Sequence, residues 1–183
     1  MVTKKEKDVL VRLEEKLDKI LEYVIQNQTT GVKQEYNEEA PPGHTVISCD
    51  ASIKENPGGP SSIGFVIRKP GDKPIGMSKS SPATTNNQAE YDAIYEGLST
   101  FFNLNNHPTC KVEVRSDSQL IVNQLNGEIQ CQDKSLVKRR DAIKAFIDAL
   151  PVKVEFRWKP RNSTADLREA NYLAQDLLGV PRH

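Results

Sequence analysis

Asp50, Glu90 and Asp117 each sit inside a short polar motif, and the order of these motifs along the chain can bring all three carboxylates to one point. Asp50-Ala51-Ser52, followed by Asn56-Pro57-Gly58-Gly59, closes the apolar run around residues 45–48. Thr84-Thr85-Asn86-Asn87-Gln88-Ala89-Glu90-Tyr91 opens a helical pattern, and Asp117-Ser118-Gln119-Leu120 follows the alternating run 111–116. Acids gathered without cationic partners repel one another, so such a cluster is stable when it holds divalent metal. Oxygen-only ligands suit Mg²⁺ or Mn²⁺ rather than zinc. Two such cations roughly 4 Å apart supply the activated water and the stabilised leaving oxygen that a reaction such as phosphodiester hydrolysis needs. Asp50, on a central strand, is the natural bridging ligand.

The elements that must position these acids are legible in the periodicity. Strands are expected over about 44–50, 61–68 and 73–80, separated by Pro57-Gly58-Gly59-Pro60 and Pro70-Gly71-Asp72. A helix over about 87–103 can face the core with Ala89, Ala93, Ile94, Leu98 and Phe101. A strand at 110–116, helices near 118–126 and 133–149, a strand near 152–157 and a helix near 168–178 follow. Antiparallel strands followed by strand–helix crossovers imply an α/β fold, a five-stranded mixed sheet with helices on its faces. Cys49, next to Asp50, should point to the opposite face of its strand, into the core.

The chain has 183 residues and zero formal net charge, room for one ordinary domain and an appendage. Residues 1–43 carry 7 basic and 9 acidic side chains, leaving 18 basic and 16 acidic in the rest. This balance permits a nucleic-acid partner without arguing for one. No apolar run approaches 18 residues, so no membrane partner is expected. The N-terminus lacks the uninterrupted apolar stretch of a secretory signal. The cysteines, Cys49, Cys110 and Cys131, form no CxxC pair, which argues against a disulfide scaffold or structural zinc and for a cytoplasmic location.

Residues 1–27 form a separate element: Leu10, Leu13, Leu17, Ile20 and Val24 make a heptad seam on a helix over 4–27. A polar linker, 28–43, joins it to the main domain, 44–183. So short a helix is marginal alone. It is expected to pair with a second copy, dock a protein partner or pack on its own domain; on the second of these readings the chain is an adaptor.

The three acidic motifs, in this order and spacing, resemble type 1 ribonuclease H, and the resemblance runs from about Thr45 to Leu178. It implies the ribonuclease H-like fold and Mg²⁺-dependent endonucleolytic cleavage of the RNA strand of RNA/DNA hybrids, leaving 5′-phosphate and 3′-hydroxyl ends. Two Mg²⁺ ions, with Mn²⁺ as substitute, are the implied cofactors. Asp50, Glu90 and Asp117 match three of the family's four metal-binding acids. The fourth position, before the Leu173-Ala174 pair, holds Asn171. An uncharged amide holds a cation weakly, so activity is expected to fall by several orders of magnitude. Asn171 is either a substitution introduced to silence cleavage, which the intact remainder of the site favours, or native to a hybrid- or duplex-RNA-binding protein that does not cut.

Asn56, Asn86, Asn87 and Gln119 match family positions that contact the hybrid, and Thr85 one that contacts a DNA phosphate. The 2′-hydroxyl that amides can read distinguishes RNA from DNA. Asn56 can equally serve its turn, and Asn86 can cap the helix. Arg161 stands where many relatives have a His before the last helix. His44, His107 and His183 match no motif position and read as surface residues. Trp158 can stack on a sugar, but its place at the end of a strand favours a core role. The basic loop that bacterial members carry between helices is absent from 125–133. Lys138-Arg139-Arg140 is either a partial substitute or a solvated helix face. Asp166 can compensate for Asn171 or, as expected, caps or precedes its helix.

Overall fold

The structure is a computed structural model and describes residues 40, 43–104 and 111–180, all within the compact unit Asn37–His183. The helix expected over 4–27, nearly all of the linker, Cys110, His107 and His183 lie outside the described residues. The chain runs β1 (His44–Ile53), β2 (Ser61–Arg68), β3 (Ile75–Ser81), α1 (Asn86–Asn103), β4 (Lys111–Ser116), α2 (Gln119–Asn126), α3 (Lys134–Asp148), β5 (Lys153–Trp158) and α4 (Ala165–Leu178). The five strands form one sheet in the order β3-β2-β1-β4-β5. β1 is antiparallel to β2 and parallel to β4; β2–β3 is antiparallel and β4–β5 parallel. Parallel neighbours need long crossovers, and the helices after β3 and β4 provide them.

β1 is the axis of the molecule, buried on both faces. Ile47, Cys49 and Ala51 join Ile63, Phe65 and Ile67 of β2 and Ile94, Leu98 and Phe101 of α1 in the main core. α1 approaches so closely that a Cβ on Gly97 would lie 2.9 Å from Ile47 Cγ2 and 3.2 Å from Cys49 Sγ. Cys49 therefore faces the core, as its alternation with Asp50 requires.

Asp50 belongs to the opposite face. Its strand partner is Gly64, and directly paired residues share a face. A Cβ on Gly64 would come within 2.8 Å of the backbone N of Ala174 and closer still to the carbonyl oxygen of Ala170. Only a glycine lets α4 settle this deeply on β2. Ser62 Oγ, two residues earlier on the same face, donates to the Ala174 carbonyl at 2.5 Å.

Local chemistry sets the helix ends. α1 begins one residue before its expected start because Thr85, not Asn86, is the N-cap, its Oγ1 accepting from the Gln88 N–H. α4 begins three residues early because Thr164 Oγ1 accepts from the Leu167 N–H. Asp133 caps α3, and Gly127 (φ 79°) and Gly179 (φ 64°) close α2 and α4 in the left-handed region. Among the described residues no helix is long and apolar enough to cross a membrane.

Candidate active site

Parallel pairing of β1 with β4 brings Ser116 level with Cys49. Asp50 and Asp117 each follow that matched pair, so their carboxylates emerge side by side. Glu90 comes in from the opening turns of α1. One carboxylate oxygen from each of Asp50, Glu90 and Asp117 lies within 4.8 Å of the others. Asp50 and Glu90 are each only 2 % exposed. Burial raises the Asp50 carboxyl to about 7, helped by the charge of Asp117 and opposed by the Ala51 N–H and Arg161. That N–H donates to Asp50 Oδ1 at 2.8 Å. Burial, then Asp50 and Asp117, push Glu90 well above the ordinary carboxylate range. Glu90 Oε2 is buried without a hydrogen-bond partner. Buried acids that cannot all ionise together, one with an orphaned oxygen, are an incomplete electrostatic assembly. An oxygen-only donor set of this kind fits a hard divalent cation.

Arg161 is the basic side chain at the cluster. Its Nε donates to Asp117 Oδ2 at 2.6 Å, and its Nη2 lies 3.8 Å from Asp50 Oδ1. It arrives there because β5 ends parallel to β4: the Lys159 N–H donates to the Ser116 carbonyl at 3.0 Å, which turns the segment after β5 over Asp117. Trp158 sits on the same edge. It is 45 % exposed, and its indole N–H donates to the Asp117 carbonyl at 3.1 Å. The core role expected for Trp158 is therefore corrected: β5 is an edge strand, and Trp158 at its end is left exposed.

The hybrid-contact candidates divide into two places. Asn56 Oδ1 accepts from the Asn86 N–H at 3.3 Å, and the Gly58 N–H donates to the Thr84 carbonyl at 2.8 Å. These bonds tie the β1–β2 loop to the start of α1 and gather Asn56, Thr85, Asn86 and Asn87 on one rim. Asn86 Nδ2 reaches Glu90 Oε1 at 3.4 Å, joining rim to cluster. Gln119 is exposed on the first turn of α2, two residues beyond Asp117.

Asn171 is 7 % exposed on α4. It directly follows Ala170, the residue against Gly64, and so lies in the helix that covers the Asp50 face of the sheet. Asp166 is remote in role: both its oxygens bind the Arg68 guanidinium, Nε to Oδ2 at 2.7 Å, in a buried pair. It cannot substitute for a missing ligand. The basic triplet on α3 is largely committed, since Arg139 Nε pairs with Asp92 at 2.7 Å and Arg140 with Asp141 at 2.7 Å. His44 is half-buried rather than a surface residue. Gly64 was not singled out by sequence reasoning, although a glycine inside an apolar strand is a signal of close backbone approach.

The sequence pattern of the reverse transcriptase-like family matches residues 48–176. RNase H1 from the archaeon Halobacterium salinarum superposes with a TM-score of 0.66 at 26 % identity, covering 74 % of this chain and 98 % of that one. LC11-RNase H1, solved in complex with an RNA/DNA hybrid, superposes with a TM-score of 0.62 at 29 % identity, covering 73 % and 99 %. YpeP, an uncharacterized protein of Bacillus subtilis, is 32 % identical over 101 residues, 55 % of this chain. The match spans 43 % of YpeP, so less than half of that relative is represented.

Proposed function

Because this chain belongs to the reverse transcriptase-like family and has its ribonuclease H-like fold, we propose that it binds RNA/DNA hybrids and hydrolyses the RNA strand with the help of divalent metal. The observation that carries this reading is the meeting of Asp50, Glu90 and Asp117 within 4.8 Å. These carboxylates, with the amide of Asn171, would hold Mg²⁺ or Mn²⁺. When bound, the metal supplies a Lewis acid and makes water a usable nucleophile near neutral pH. The rest falls to the chain. Asn56, Asn86, Asn87 and Gln119 offer amides to ribose 2′-hydroxyls, Thr85 offers its hydroxyl to a DNA phosphate, and Arg161 offers a fork of donors to a phosphate. Contacts of these kinds position a duplex without reading its sequence. Asn171 contributes no charge, so turnover is slower than with Asp by several orders of magnitude.

Asn171 also favours a second reading, a protein that binds hybrids without cutting them. Cleavage of an end-labelled hybrid in Mg²⁺ or Mn²⁺ by the chain and by Asn171→Asp, with Asp50→Asn as control, separates the two. A large gain in Asn171→Asp that Asp50→Asn abolishes supports the nuclease. Tight hybrid binding with no cutting by either protein supports the binder.

A further inference from the structure

We infer that Arg161 is an internal cation that competes with divalent metal for the carboxylate cluster, and that its displacement couples metal binding to nucleic-acid binding. The inference rests on the proposed metal and hybrid site and adds a regulatory link between its two ligands.

The geometry is specific. The Arg161 guanidinium lies across two of the three clustered acids, with Nε 2.6 Å from Asp117 Oδ2 and Nη2 3.8 Å from Asp50 Oδ1. Asp117 and Asp50 are 9 % and 3 % exposed in their side chains, whereas Arg161 is 59 % exposed. The anions are fixed and the cation is at the surface. Asn162, with φ 58°, follows Arg161 directly in the segment between β5 and α4. The Arg161 side chain thus has solvent to move into, whereas Asp50 and Glu90 have none.

A divalent cation held by these carboxylates would sit beside the guanidinium that engages Asp117 Oδ2 and approaches Asp50 Oδ1, and the two positive groups would repel at this distance. The metal therefore binds with Arg161 withdrawn. A withdrawn Arg161 stands beside the cluster with its donor fork free, a geometry suited to phosphate. Each ligand favours the same outward state, so each raises the other's affinity, and linkage makes the two effects equal. With Arg161 on the cluster, the site resists empty-handed metal loading; with a nucleic-acid phosphate engaging Arg161, the carboxylates are released to the metal.

The test is Mn²⁺ binding to the full chain and to Arg161→Ala, measured by calorimetry with and without a non-cleavable hybrid. Without hybrid, Arg161→Ala is expected to bind Mn²⁺ about fivefold or more tightly than the unmodified chain. The hybrid is expected to tighten Mn²⁺ binding by a larger factor in the unmodified chain than in the variant. Arg161→Lys, which keeps the charge but not the fork, falls between the two. Circular dichroism of each variant checks that the fold is retained. Equal Mn²⁺ affinities in the unmodified chain and Arg161→Ala, with equal hybrid effects, overturn the inference but leave the metal site standing. Absence of Mn²⁺ binding in both proteins overturns the metal site and this inference with it.

Discussion

Two acidic sites in this domain have been given opposite electrostatic solutions. Asp166 and Arg68 form a closed pair, with side chains 5 % and 9 % exposed and both carboxylate oxygens bound to one guanidinium. Asp50 and Asp117 also sit within contact of an arginine, but the two share it, it is mostly exposed, and the Oε2 of the clustered Glu90 has no hydrogen-bond partner. The first site satisfies its own charge and locks α4 to β2. The second has more negative charge than the protein itself neutralises. Acidic residues alone do not mark a site; what distinguishes it is an unbalanced local charge that an external cation can complete.

The largest effect that would break this contrast is loss of the closed pair. Arg68→Ala leaves Asp166 buried and unpaired, and is expected to lower the unfolding free energy by about 4 kcal/mol in urea titration. Gly64→Val is expected to cost about 3 kcal/mol, since its side chain would meet the α4 backbone at Ala170 and Ala174. The open cluster should respond with the opposite sign: in metal-free buffer Asp50→Asn removes a repulsive charge and is expected to raise stability by about 1 kcal/mol. An unchanged or lower stability in Asp50→Asn would put the two acidic sites in the same class.

The pH dependence sharpens the contrast further. The folded Asp50 carboxyl titrates near 7, whereas the unfolded one titrates at about 4. Between these values the folded state holds a proton that the unfolded state has lost. Metal-free stability is therefore expected to fall as pH rises from about 4 to about 7, with Glu90 extending the fall upward. Divalent metal should erase this fall, and the gain in melting temperature on adding Mg²⁺ should be greater at pH 8 than at pH 5. A pH-independent gain would count against these carboxylates as ligands.

Much of this arrangement is legible in the sequence because local signals and topology agree. β2 and the three acidic motifs stand where apolar runs, turn glycines and capping residues place them. What escapes depends on neighbours distant in the chain. Nothing around Trp158 reveals that β5 is an edge strand, so a large apolar residue at its end read as core. Nothing around Asp166 names Arg68, 98 residues away, as its partner. The position of Arg161 on the cluster follows from the parallel pairing of β4 and β5, which periodicity does not disclose.

The most direct measurement is anomalous X-ray scattering from crystals of the chain soaked in Mn²⁺. The account predicts a Mn²⁺ peak ligated by Asp50 and flanked by Glu90 and Asp117, with the Arg161 guanidinium moved off Asp117. Density showing the guanidinium still on Asp117 and no metal among the three carboxylates, in crystals where Mn²⁺ is bound elsewhere, would contradict it.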